Sequence, residues 1–255
     1  AIEAQVRPVA LPDFVFRLPV LRRLAPSLLR RVAARTWAGR FKVVRAGGAA
    51  FLVSYVNYVD RQIAFRGDYE RRQRDHLFAE MSARGCDVFI DVGANIGLYT
   101  VLAARRPDPP RVIAFEPDPR NYDQLRANLL LNGLTFAVET HALAVSDRAS
   151  VGFRMESERS TGQSRVDDGP GTVAIPAVRL DEILPLEGRI LFIKIDIEGH
   201  ELSALAGMRG LLGRNRCFLQ IECFADKLPP VAAFLAEAGC SPCGTIESDR
   251  FFSNF

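Results

Sequence analysis

Apolar residues along this chain fall into two rhythms. Four short runs are almost continuously apolar: Val88 to Val92, Val112 to Phe115, Ile190 to Ile195 and Cys217 to Ile221. Such runs predict strands buried on both faces. Between them, apolar positions recur at helical spacing over 119–132, 201–212 and 229–238. In the first of these, Leu125, Leu129 and Leu130 are expected to face inward, with Pro119 at the start and Asn132-Gly133 at the end. A charged helix carrying His76 is expected over 69–83, stopped by Gly85. Alternation at Phe41 to Val44, Phe51 to Tyr55 and Ile63 to Phe65 predicts short strands around Gly47-Gly48. Further strands are expected over 136–145, 151–155 and 173–178, a short helix over 180–184, and an edge hairpin at the tail. Strands alternating with helices in this way predict an α/β fold: a mainly parallel sheet with helices on both faces.

Residues 156–171 keep neither rhythm. Three glycines and a proline within a polar run predict a surface segment, a binding loop or lid.

Composition places the chain among globular proteins, with 48% hydrophobic and 25% charged residues. The formal net charge of +3 conceals an asymmetry. Residues 1–45 hold ten basic and two acidic groups, +8; the remainder holds 23 basic and 28 acidic, −5. A mildly acidic body does not suggest nucleic acid as substrate. The basic amphipathic run over 18–32 suits a helical arm packed on its own domain or across a homodimer, or peripheral contact with an anionic membrane. The expected division is therefore an arm with short strands over 1–68 and a catalytic domain over 69–255. No run reaches the roughly 18 apolar residues of a transmembrane segment. Five scattered cysteines, an odd number, argue for reduced thiols and a cytoplasmic setting. Cys240 and Cys243 have C-x-x-C spacing without a second ligand pair, so a plain loop is expected there.

The chemistry gathers after the first buried strand. Asp91-Val-Gly-Ala-Asn-Ile-Gly97 is a glycine turn leading into a helix, and the next strand ends on Glu116, 23 positions after Gly93. Strand, glycine turn, helix, strand, acid is the layout of a nucleotide-binding unit. Asn95 and Leu98 stand where a dinucleotide fingerprint needs its second and third glycines, which speaks against a pyrophosphate. The turn suits a ribose-bearing ligand with a small zwitterionic tail, such as S-adenosylmethionine. Glu116 can accept two hydrogen bonds from a ribose diol. Four strands carry an acid at or near the carboxyl end, Asp91, Glu116, Asp196 and Glu222, where ligands of such sheets bind.

These segments, with Phe115-Glu-Pro117, Ala144-Val-Ser-Asp147, Leu180-Asp181 and Ile193-Lys-Ile-Asp-Ile-Glu-Gly-His-Glu201, resemble the FkbM family of S-adenosylmethionine-dependent methyltransferases. The resemblance covers roughly residues 70–225. It implies the Rossmann-like class I methyltransferase fold, a seven-stranded sheet with its last strand antiparallel. It further implies that Asp91, Gly93, Ala94, Asn95 and Gly97 hold the methionine end, that Glu116 takes the ribose, and that the segment ending at Asp147 lies near the adenine. The implied activity is methyl transfer to a hydroxyl of a small molecule or sugar.

A hydroxyl acceptor is a poor nucleophile until deprotonated, so a base is expected. His200 is the candidate at neutral pH, with Asp196 and Glu198 beside it. Asp196 and Glu222 are placed to share a Mg²⁺ ion, but no full ligand set is evident and no metal site is assigned. Two other readings stay open: a nicotinamide-dependent oxidoreductase, and a non-catalytic adaptor with a Rossmann-like core.

Overall fold

The computed structural model describes residues 31–35 and 39–255. The basic run over 18–32 lies outside them except for its last two positions. Among the described residues no helix is long and apolar enough to cross a membrane.

After a helical stretch at residues 31–35, an antiparallel hairpin is formed by β1 (Phe41–Ala46) and β2 (Ala49–Ser54). Its turn is Gly47-Gly48, both with positive φ, a conformation that costs glycine little. Helix α1 (Tyr58–Arg66) follows, although alternation predicts a strand at 63–65. Asn57 decides the matter. Its side chain accepts the N–H groups of Val59 (2.9 Å) and Asp60 (3.4 Å) and so starts a helix. Helix α2 (Arg71–Arg84) ends at Gly85 as expected.

The rest of the chain alternates strands and helices. In order come β3 (Val88–Val92), α3 (Leu98–Ala104), β4 (Arg111–Phe115), α4 (Pro119–Leu131) and β5 (Val138–His141). A small sheet follows, made of β6 (Ala144–Val145), β7 (Ser150–Arg154), β8 (Arg165–Val166) and β9 (Val173–Val178). Then come α5 (Leu180–Ile183), β10 (Ile190–Ile195), α6 (Glu201–Ala206), α7 (Arg209–Arg214), β11 (Arg216–Glu222), α8 (Leu228–Glu237), β12 (Ser241–Ile246) and β13 (Asp249–Ser253).

Seven of these strands form the central sheet in the order β12-β13-β11-β10-β3-β4-β5. The pairs β11–β10, β10–β3, β3–β4 and β4–β5 are parallel, and β13 is antiparallel to β11 and β12. This is the Rossmann-like class I methyltransferase fold. Chain order reverses between β3 and β10, so their carboxyl ends open a crevice.

Strand residues alternate between two cores. On one face Phe89, Phe192, Phe218 and Phe251 pack with the hairpin and α1 to α4. On the other, Ile90, Val92, Ile193 and Leu219 pack with α5 to α8. The hairpin is held by α4. Gln124, Asn128 and Asn132 lie four residues apart on one helix face, and their amides bond the backbone of Ala50 and Leu52 at 2.7–3.0 Å. They satisfy the free edge of β2 as a neighbouring strand would.

Three further expectations fail for identifiable reasons. Leu130 is 70% exposed rather than inward, because buried Asn121, Leu125, Asn128 and Leu129 fill the inner face of α4. The strand expected over 136–145 is two strands in different sheets, and Phe136 is exposed. The helix expected over 201–212 breaks at Gly207, where a Cβ would stand 2.1 Å from the Ser146 carbonyl oxygen. Elsewhere the edge hairpin closes the sheet and takes Ser241 to Cys243 into β12, where the sequence predicts a plain loop; Cys217, Cys223 and Cys240 are buried in the second core while Cys243 is exposed.

Asp60 of α1 is fully buried. Its Oδ2 accepts the Ser54 N–H (2.6 Å) and the Gln124 amide (2.8 Å), while Oδ1 has no partner. Burial pushes its carboxyl up to about 6. An acid whose pKa is raised on folding contributes stability below its unfolded value and loses it as pH rises through the folded value. The loss here falls between about pH 4 and 6 and reaches about 3 kcal/mol above it. Asp60→Asn keeps a carbonyl acceptor for both bonds and cannot ionise. Its melting temperature is expected to gain on the wild type progressively over that window. A gain independent of pH would count against this account.

Candidate active site

The crevice is built from the ends of β3, β4, β10 and β11. After β3 the chain turns at Gly93 (φ 81°), whose N–H donates to the Phe115 carbonyl at 2.9 Å, as does that of Ala94 at 3.0 Å. The Asp196 N–H in turn donates to the Val92 carbonyl at 3.0 Å. A Cβ on Gly93 would lie 1.9 Å from the Asp196 carbonyl oxygen, so only glycine fits between the two strand ends. Asn95 also has positive φ (52°), and its N–H donates to Glu116 Oε2 at 2.7 Å. Glu116 Oε1 accepts the Asp118 N–H at 2.8 Å. Burial pushes the Glu116 carboxyl up to about 7 against the pull of these amides. Asp91 is 1% exposed; its Oδ2 takes the Thr100 hydroxyl at 2.6 Å and its Oδ1 has no partner.

Two cavities meet here, sharing Asn95, Gly162 and Asp196 in their walls. The narrow one, about 40 Å³, runs past Glu116 between Phe115, Val145 and Phe153 and reaches His200. The wide one, about 480 Å³, is lined by Tyr58, Tyr69, Arg159, Glu198, Glu222 and Phe224 among others. Both share a roof in the 156–171 segment. Thr161, in a 3-10 turn (Thr161–Gln163), takes a hydrogen bond from Asn57 Nδ2, and its carbonyl accepts Asn121 Nδ2 at 3.3 Å. Ser164 donates to Asp118 Oδ2 at 2.8 Å, and Arg120 reaches both Asp118 (2.6 Å) and the Glu156 carbonyl (2.9 Å).

The wide cavity is acidic, with Asp196, Glu198 and Glu222 in its walls. Oxygens of Asp196 and Glu222 lie within 4.8 Å of each other and of Glu70, which sits behind that wall. Lys194 Nζ donates to Asp196 at 2.9 Å and sits 4.8 Å from the Tyr99 ring centre. Burial alone would discharge this lysine, but Asp196, Glu70 and Asp91 outweigh it and hold its pKa well above the ordinary value. Burial, with Asp196 and Glu201 adding repulsion, pushes Glu198 up to about 7.

A family model described as the methyltransferase FkbM domain matches residues 91–240, more than half of the chain. The chain belongs to the FkbM methyltransferase family. Hexuronic acid methyltransferase AglP of Haloferax volcanii is 30% identical over 159 residues, 61% of this chain and 64% of AglP. The match thus spans less than two thirds of AglP's own length. The 31-O-demethyl-FK506 methyltransferase FkbM of Streptomyces tacrolimicus is 29% identical over 190 residues, 61% of this chain and 72% of that protein. Among solved structures, the human methyltransferase 10 domain containing protein superposes with a TM-score of 0.48 at 11% identity, covering 89% of this chain and 95% of that one.

In this FkbM-family chain the turn residues Gly93, Asn95 and Glu116 all border the narrow cavity. Asp91 and Ala94 line a cleft of about 30 Å³ behind it, together with Glu70, Lys194 and Asp196. Gly97 (φ 84°) caps α3, where a Cβ would meet Leu125 at 2.3 Å. Asp147 turns outward, accepting the Ser146 hydroxyl at 3.1 Å, and lines neither cavity. His200 bonds Ser146 Oγ at 3.0 Å and borders the narrow cavity, not the wide one. Burial and the nearby Arg148 lower its pKa, favouring the neutral ring. Asp196 and Glu198 line the wide cavity. Sequence reasoning missed Asn57, Tyr58, Tyr69 and Glu70, which reach the site from the region before β3. It also passed over Lys194, although a lysine inside an otherwise apolar strand is a signal in its own right.

Proposed function

We propose that this protein is an S-adenosylmethionine-dependent methyltransferase acting on a hydroxyl of a small molecule or sugar. The observation that carries the reading is the pair of cavities meeting at Asn95 and Asp196, one narrow and partly apolar beside a buried glutamate, the other wide and polar. The names of the relatives, one acting on a hexuronic acid and one on an FK506 precursor, support a small oxygen acceptor.

The residues fit such a cofactor. Gly93 leaves the close approach that a Cβ would fill, and Glu116 offers carboxylate oxygens at a ribose position. The orphaned Asp91 Oδ1 and Asn95 Oδ1 are acceptors without donors, suited to an ammonium group. Bound there, S-adenosylmethionine would supply an electrophilic methyl on its sulfonium. The protein's own part is placement and proton removal. We assign Phe115, Val145 and Phe153 to the adenine walls, with His200 and Ser146 closing that end. Asp196, which borders both cavities, is proposed as the base, with Glu198 beside it. Holding the acceptor oxygen in line contributes about 7–11 kcal/mol, and a positioned base about 10²- to 10⁴-fold in rate. The narrow cavity admits a nucleoside only when the 156–171 roof lifts, so Arg120, Asp118 and Ser164 act as its latch.

Calorimetric titration with S-adenosylhomocysteine is expected to show one site. Methyl-labelled cofactor is expected to label a polar component of a cell extract. No binding at millimolar concentration would end this reading.

A further inference from the structure

A methyl transfer to a hydroxyl releases a proton, and the wide cavity lies under a roof. Two carboxylates in its wall, with a third behind them, lead elsewhere. Asp196 borders both the narrow and the wide cavity. Glu222 borders the wide cavity and also a second polar cavity of about 360 Å³ on its far side. Glu70 lines that second cavity, which is rimmed by the exposed Glu247. The three side chains therefore join two spaces in sequence, with their oxygens no more than 4.8 Å apart.

We propose that Asp196, Glu222 and Glu70 form a proton relay that carries the acceptor's hydroxyl proton from the wide cavity to this second, surface-facing cavity. The inference rests on the methyltransferase reading above. In the step, an oxygen electron pair of the acceptor would form the new bond to the methyl carbon while the methyl–sulfur bond of bound S-adenosylmethionine broke with its pair going to sulfur, and the acceptor O–H bond would give up its proton. The proton passes to Asp196, then to Glu222 and Glu70, and leaves to water.

Several features favour a relay over a passive acidic patch. Oxygens of Glu222 and Asp196 lie no more than 4.8 Å apart, and the Ser248 hydroxyl donates to Glu222 Oε1 at 2.9 Å, fixing that carboxyl. Lys194 holds Asp196 from the buried side. Asp91, 1% exposed with Oδ1 unpartnered, lines the small cleft shared by Glu70, Lys194 and Asp196. Burial and mutual repulsion raise the pKa values of Glu70 and Glu222, so protons are shared within the cluster near neutrality. The other charged groups facing Glu222 are Asp249 from β13, Glu247 from the tail hairpin, Arg66 and Asp68 across the second cavity, Glu198, Arg61 and Arg159 across the wide cavity, and Lys194 behind Asp196.

The test compares wild type, Glu222→Gln and Glu70→Gln. The rate of methyl incorporation from labelled S-adenosylmethionine into a polar-metabolite extract is measured from about pH 6 to 10. The same proteins are titrated by infrared difference spectroscopy in the carboxyl region. In the wild type, protonated-carboxyl intensity is expected to persist above about pH 6, clear of an ordinary glutamate near 4.3, with Glu116, Glu198 and Asp60 contributing a share that both variants keep. Part of that intensity should be missing in the Glu222→Gln minus wild-type difference, and the incorporation rate of this variant should fall roughly 10²-fold with the acid limb displaced and S-adenosylhomocysteine affinity unchanged. Glu70→Gln should fall less, with a displaced limb, and serves if the first variant does not fold. A difference between wild type and both variants that is already flat above about pH 5, or either variant turning over at the wild-type rate with its pH limb intact, overturns the relay. So does a rate that requires Mn²⁺ and is lost with EDTA, since the carboxylates would then be ligands. Failure of S-adenosylhomocysteine to bind would strike the methyltransferase reading instead and leave the infrared result to stand.

Discussion

Gly93→Ala is expected to abolish S-adenosylhomocysteine binding and to destabilise the protein more than any other glycine-to-alanine change in the described chain. The new Cβ would meet the Asp196 carbonyl oxygen at 1.9 Å, a backbone atom of a residue whose own N–H is tied to the Val92 carbonyl, so neither side yields cheaply. To that overlap is added the strain of a side chain at φ 81°, about 1–3 kcal/mol. A total of at least about 3 kcal/mol follows, which lowers the melting temperature of a domain this size by roughly 6–12 °C. Relief comes only by pushing β3 and β10 apart, which moves Asn95 and Asp196 off the meeting point of the two cavities. Gly133→Ala provides the control, since it has a similar φ (70°) with nothing within 4 Å. It should cost about 1 kcal/mol and leave binding intact. Thermal melts and calorimetry on both variants check this. Near-native affinity in Gly93→Ala would show that the strand ends are not the cradle.

Glu116→Ala is expected to weaken S-adenosylhomocysteine binding by about 100-fold or more. The carboxylate serves twice in this account: it accepts the Asn95 and Asp118 amides, and its remaining lone pairs are offered to a ribose diol. Each hydrogen bond to a charged group contributes about 1.5–3 kcal/mol, so losing the diol contact alone gives most of the effect. A pH signature accompanies it. Because burial holds the carboxyl near 7, affinity in the wild type should rise as pH increases through 7 and the acceptor-only form fills. Glu116→Gln, which cannot ionise, should bind weakly with no such rise. A wild-type affinity flat from pH 6 to 8 would mean that the carboxylate is not what meets the ligand.

Local rules carried the sequence reading furthest where the information is itself local. The β3–turn–α3–β4 unit is spelled by consecutive residues: an apolar run buried on both faces, a glycine needing positive φ, and an acid at the next strand's end. The parallel sheet followed from the same periodicity, and so did the edge hairpin. Local rules misled where a distant group outweighs them. Residues 63–65 look like a strand until Asn57 caps a helix, and 201–212 looks like one helix until Gly207 must pass the Ser146 carbonyl.

Strand order, in contrast, is decided only when the chain closes on itself. Glu70, Asp196 and Glu222 are far apart in sequence and sit on the start of α2 and the ends of β10 and β11. They converge because β3 lies between β4 and β10, a choice made by packing both sheet faces at once. The amides of Gln124, Asn128 and Asn132 read as the polar side of a helix, yet they meet the free edge of β2 and bring Asn57 and Tyr58 over the crevice. His200 shows the same limit, since its motif places it after β10 but only the turn at Ser146 puts it on the narrow cavity. Sequence by itself determined the elements and the cofactor-type turn, because backbone conformation and strand burial depend on neighbours along the chain. The tertiary structure alone decided the acidic wall, the roof and the two-cavity layout, because those depend on contacts between segments that no local pattern relates.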